Sequence, residues 1–116
     1  MGVNSVSVSG NLTGDPELRA TQGGTQVLRL GVAVNERAKD PATGEWADRP
    51  IFVDCVVFGN RAAALSRILS KGAKVALHGR LRQDRWTDAE GRSRSRLEVV
   101  ADEVDLMQRR DPAAQG

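Results

Sequence analysis

Between residues 80 and 96 the chain reads RLRQDRWTDAEGRSRSR, which sets six arginines and one tryptophan in seventeen positions. Arg80, Arg82, Arg85, Arg92, Arg94 and Arg96 face only Asp84, Asp88 and Glu90 there, so most of the chain's positive surplus is local. A guanidinium keeps its charge at any physiological pH and offers a planar fork to phosphate oxygens. An indole among such cations offers a flat face on which an unstacked base can lie. A single nucleic-acid strand exposes phosphate charge and the faces of unstacked bases whatever its sequence, so cations interleaved with aromatics make a sequence-tolerant binder. Trp86 therefore leads the candidate residues; the plainer alternative is an indole lying over its own hairpin and held by arginine stacking.

The chain has four aromatic residues and no tyrosine, which makes their positions informative. Phe52 and Phe58 are six apart and share parity with Asp54 and Val56, so in a strand all four project from one side while Ile51, Val53, Cys55 and Val57 fill the other. Taken alone, that pattern also fits two core phenylalanines. Trp46 lies in a polar stretch where it can touch nucleic acid, cover the core or stand in solvent. Arg92, Arg94 and Arg96 alternate with Ser93, Ser95 and Leu97, so a regular strand points all three one way, along a phosphate backbone or into water.

Catalytic chemistry has little to work with. His78 is the single histidine, and no second histidine or cysteine cluster stands beside it to complete a metal site. Asp102, Glu103 and Asp105 cluster locally with no partner carboxylate, which does not make a divalent-ion nuclease. Ser66 and Ser70 lack a base, and GTQVLRLG lacks the GK[ST] ending of a phosphate loop. The reading is no enzyme, with no catalytic residues, no metal and no cofactor. Cys55 is the only cysteine, so no disulfide forms within the chain, as in a reduced compartment.

These side chains need a scaffold, and 116 residues supply one domain with one modest core. Composition is that of a globular protein, 40% hydrophobic and 28% charged, with a formal net charge of +2. No charged leader with an apolar run opens the chain, and no stretch approaches a membrane span, so a soluble cytoplasmic protein is expected. The dominant period is two. VSVSGNL places Val6, Val8 and Leu12 opposite Ser7 and Ser9; QVLRLGVAVNE sets Leu28, Leu30, Val32 and Val34 against Arg29, Gly31 and Ala33, with Gly31 a candidate bend or bulge. GDPELRATQGGT reads as a connection and RAKDPATGEWADRP as a long hairpin loop. IFVDCVVFG is the third strand. NRAAALSRILSKG follows as the one helix, with Asn60 as N-cap and Gly72 as its stop. KVALHGRLRQDRW and RSRLEVVADEVDLM are two more strands joined by TDAEGR. The predicted domain spans 1–108, with 109–116 a flexible tail.

Five strands with one helix between the third and fourth is the chain order of the OB-fold, an all-β, partly open Greek-key barrel; on periodicity alone other small β-barrels fit as well. Read in succession, GVNSVSVSGNLTGDPELR, GGTQV, the run through DPATGEW, VVFGN, SKGAKVALHGRLR and RWTDAEGRSR resemble the bacterial single-stranded DNA-binding protein family, nearly collinearly from about Gly2 to Met107. The resemblance implies an OB-fold protomer of a homotetramer, a homodimer being the other arrangement. It also implies binding of single-stranded DNA in replication, recombination and repair, near the nucleoid, with no membrane and no cofactor. By family position it implies base stacking on Phe52 and Phe58, phosphate contacts at Arg82, Arg85 and Arg94, and support from Arg19 and Lys71. Trp46, Arg80, Arg92 and Arg96 complete the candidate set.

The chain departs from the family pattern in places. Ala38 stands where many relatives carry a stacking tryptophan, Asp54 where a basic residue is frequent, and Val53 where a histidine often lies near the subunit contact. The Gly/Pro/Gln-rich linker and acidic tip that recruit replication and repair proteins in relatives are not read in the tail, as if truncated or absent. A second functional class also fits, an OB-fold protein-interaction module of a primosome-like assembly in which Phe52 and Phe58 bury against protein.

Overall fold

The computed structural model describes residues 2–108. Alternation of apolar and polar residues organises the chain as β1 (Val6–Leu12), β2 (Glu17–Ala20), β3 (Gln26–Lys39), β4 (Trp46–Phe58), α1 (Asn60–Ile68), β5 (Lys74–Thr87) and β6 (Ser93–Gln108). Leu12, Leu28, Leu30, Val32, Cys55, Val57, Val75, Leu77 and Val99 turn inward and form one buried cluster. Ala62 of α1 joins that cluster, and α1 packs chiefly against β3. Burial pushes the Cys55 thiol up to about 12, with the charges of Asp54 and Glu98 adding to the effect, so it behaves as a small core hydrophobe.

Antiparallel pairing runs β3 to β4 and β5 to β6, and β4 lies parallel to β6 through Cys55 opposite Val99 and Val56 opposite Val100. β1 closes the sheet by pairing with β5 over Val6–Asn11 and with β3 at Asn11 and Leu12. The result is a closed barrel of β1, β3, β4, β6 and β5 with α1 between its third and fourth strands in chain order, the OB arrangement expected from the sequence.

Several local expectations are corrected. The stretch expected as a connection holds β2, four exposed residues zipped to β3 from Glu17 opposite Arg29 to Ala20 opposite Gln26. The expected long loop is mostly a two-stranded ribbon: β3 and β4 stay paired as far as Lys39 and Trp46, and only Asp40–Glu45 turn, with the Ala42 N–H on Asp40 Oδ1 at 2.8 Å. Asn60 is the first helical residue rather than the cap. Gly59 holds that place at φ 92°, without a side-chain bond. The helix stops at Ile68, before Gly72, whose N–H instead donates to the Leu12 carbonyl at 2.9 Å. Gly31 marks no bulge, since the β3–β4 register runs through it unbroken; its carbonyl accepts the Thr13 N–H at 2.9 Å where β1 ends.

The irregularities fall in the β5–β6 pair, one of them between His78 and Gly79. A side chain at Gly79 would run into the Val100 carbonyl and the Ala101 backbone. Gly79→Ala is therefore expected to destabilise the barrel by about 1–3 kcal/mol, the usual range for overpacking. An unchanged urea midpoint would show that the two strands part there freely.

Candidate nucleic-acid interface

The cross-strand registers decide which side chains share a surface, because directly paired residues point to the same side of a sheet. Phe58 stands opposite Val27, Val56 opposite Arg29, Asp54 opposite Gly31 and Phe52 opposite Ala33. Val56 continues to Val100, which lies opposite Arg80; Glu98 then faces Arg82, Arg96 faces Asp84 and Arg94 faces Trp86. Phe52, Phe58 and Trp86 thus lie on the outer side of the same ladder as Arg80, Arg82, Arg94 and Arg96. The core is on the opposite side. Phe52 is 72% exposed, Trp86 41% and Phe58 36%, so the core reading of the phenylalanines does not hold. Among Phe52, Asp54, Val56 and Phe58 of β4 only Val56 is sealed, against Val27 and Val100.

Two of the rings already carry an arginine. The Arg82 guanidinium carbon lies 5.1 Å from the Phe58 ring centre and that of Arg96 lies 4.9 Å from the Trp86 ring centre. The alternative of an indole held by arginine stacking is thus part of the geometry, and Trp86 still presents surface to solvent.

Both arginines are also tied to carboxylates. Arg96 approaches Asp84 at 3.8 Å, and Arg82 donates to Glu98, which accepts from Arg29 on its other oxygen at 3.0 Å. Glu98 is 1% exposed. Burial pushes its carboxyl up, and the hydrogen bonds and charges of Arg82 and Arg29 outweigh that and hold it below the ordinary carboxylate value. Glu98 and Arg29 were not among the sequence candidates. The signal available was parity alone, since Glu98 shares the side of Arg94 and Arg96.

The remaining candidates divide. Arg94 donates to Asp88 at 2.9 Å on the Trp86 side of the hairpin. The Asp88 carboxyl is held low first by the Arg92 backbone N–H, then by Arg94. Arg80 pairs with Asp102 at 3.6 Å. Arg92 stands in the turn before β6, 3.6 Å from Glu90. Arg85 lies opposite Ser95 on the reverse of the hairpin and donates to Gln83, so it is not brought together with Trp86. Arg19, on β2, occupies the cross-strand row of Val27 and Phe58 and pairs with Glu17.

Lys71 is in the turn after α1, where its backbone N–H donates to Asp15. Trp46 begins β4 opposite Lys39, exposed near the ribbon tip and in step with Phe52, whereas Ala38, opposite Ala47, faces the other way. Asp54 lines a shallow open cleft with Arg29, Arg96, Thr13 and Glu17. The tail expected at 109–116 lies outside the described residues.

Residues 3–107 match the model of the single-strand binding protein family. The chain is 39% identical over 90% of its length to the single-stranded DNA-binding protein of Borreliella burgdorferi, 41% over 90% to that of Treponema pallidum and 38% over 89% to that of Mycobacterium bovis. It spans 69%, 58% and 63% of those three proteins. Among solved structures it resembles a deletion mutant of the single-stranded DNA binding protein from Thermus aquaticus, with a TM-score of 0.80 and 28% identity over 92% of this chain and 51% of the other.

Proposed function

Because the chain belongs to the single-strand binding protein family, we propose that its outer barrel face holds single-stranded DNA of any sequence, without catalysis, in replication, recombination and repair. The observation that carries this reading is the exposure of Phe52, Phe58 and Trp86 along one continuous ladder with arginines between them. Bases stack on the open ring faces. Arg82 and Arg96 back two of the rings, while Arg80 and Arg94 meet phosphates on the same side. Arg19 extends that side beyond Phe58, and Trp46 extends it along the ribbon. Arg85, Arg92 and Lys71 flank the path and steer the strand toward it. Protection follows from occupancy, since a base stacked on a ring is withheld from pairing.

No helix among the described residues is long and apolar enough to cross a membrane. The reading places the protein in the cytoplasm on nucleoid DNA, as a homotetramer or homodimer around which a long strand wraps; light scattering with and without long oligo(dT) tests the assembly. The test of function is a titration with oligo(dT). Tryptophan fluorescence is expected to fall as bases cover Trp86, and log affinity should decline linearly with log salt as counterions leave the phosphates. Weak binding that ignores salt, or equal preference for duplex, would turn the reading toward a protein-interaction module.

A further inference from the structure

Five of the six arginines between residues 80 and 96 already hold a carboxylate: Arg80 with Asp102, Arg82 with Glu98, Arg92 with Glu90, Arg94 with Asp88 and Arg96 with Asp84. Exposed ion pairs add little to stability. Their larger effect is on binding, because a phosphate reaching such an arginine must displace the carboxylate. Resting on the single-strand reading, we infer that Asp88 is an internal stand-in for phosphate: it positions Arg94 beside Trp86 in the free protein and competes with DNA for that guanidinium.

Asp88 is singled out by geometry. Its Oδ2 accepts the Arg94 Nε–H at 2.9 Å, whereas the pairs of Arg80, Arg92 and Arg96 are 3.6–3.8 Å apart with no hydrogen bond, and Glu98 is sealed between two arginines. Its Oδ1 accepts the backbone N–H groups of Glu90 and Arg92, each at 2.9 Å, and its own N–H donates to the Arg92 carbonyl at 3.0 Å. The turn therefore pins the carboxylate, which cannot follow the arginine away. When Arg94 turns to a phosphate, DNA sheds a counterion and the abandoned carboxylate draws one back. The two nearly cancel, so Arg94 contributes little to the salt dependence of the native protein.

Asp88→Asn separates the two roles. The amide oxygen still accepts the turn N–H groups, and the amide nitrogen cannot accept from Arg94. Binding of fluorescently labelled oligo(dT) is expected to tighten roughly two- to fivefold at low salt, in proportion to a lost surface pair. The salt slope should steepen by about 0.7, the single-strand value for one phosphate contact. Asp88→Ser, whose hydroxyl can accept the same turn N–H groups, should steepen it equally. Arg94→Ala in the Asp88→Asn background should remove the gain, yet barely change the slope alone. The inference is overturned if wild-type protein binds oligo(dT) while the folded Asn and Ser variants keep its slope and affinity, or bind more weakly. If the wild-type protein does not bind oligo(dT), the single-strand reading falls first and this inference with it.

Discussion

Phe58→Ala combined with Trp86→Ala is expected to weaken oligo(dT) binding by about 2–6 kcal/mol, taking roughly 1–3 kcal/mol for each base that loses its ring. The two rings hold different arginines, Arg82 and Arg96, so no shared partner couples them and their losses should add to first order. Stability should change much less, because both rings stand on the outer face and exposed substitutions usually stay within about 0.5 kcal/mol. Loss of Trp86 also leaves Trp46 to carry the intrinsic signal, so binding is read by anisotropy of a labelled oligonucleotide. A folded double variant that binds within fivefold of wild type would take the rings out of the site. Phe52, more exposed than either, makes the third arm of the series.

What was legible in advance follows from where period-two alternation is enforced by burial. Leu28, Leu30 and Val32 alternate because one side of β3 faces the core, and those barrel strands could be read directly. Where neither side is buried the signal vanishes. Arg37–Lys39 and Trp46–Pro50 are paired as a ribbon yet read as a loop, since main-chain bonds leave no trace in an exposed polar sequence. β2 was missed for the same reason, its pairing to β3 being carried by backbone rather than by side-chain pattern. The helix cap was missed because Gly59 supplies a left-handed backbone and no side-chain bond, while Asn60 had the chemistry of a cap.

At the site, parity within one strand placed Phe52 with Phe58 and Arg94 with Arg96. The same parity sets Arg85 against its β5 neighbour Trp86, although both stood among the candidates. It did not reveal that Glu98 sits between Arg29 and Arg82, which needs registers across β3, β5 and β6 that no single stretch encodes.

Removing Arg29 and Arg82 together, each by alanine, is expected to lower stability by about 3 kcal/mol at neutral pH, because Glu98 is left buried without a partner. The lower end of the range for a stranded charge applies, since both guanidiniums are partly exposed and water will enter where they stood. The pH dependence gives a sharper signature. In the native protein Glu98 titrates below its ordinary value of 4.5, so its share of the stability is complete above that pH and disappears as pH falls through the folded-state value. Without the arginines only burial acts on the carboxyl, and burial raises it. The folded double variant then takes up its proton at higher pH than the unfolded chain does, so its stability should rise as pH falls toward the ordinary value. Urea midpoints measured from pH 7 down to about pH 5 should thus climb in the double variant and stay nearly level in wild type, on this group's account. Adding Glu98→Gln to the double variant removes the charge and should flatten that climb while recovering most of the lost stability. Parallel profiles in all three proteins would mean that Glu98 is already solvated through its arginines, and that the ion-pair network does not hold this face of the barrel together.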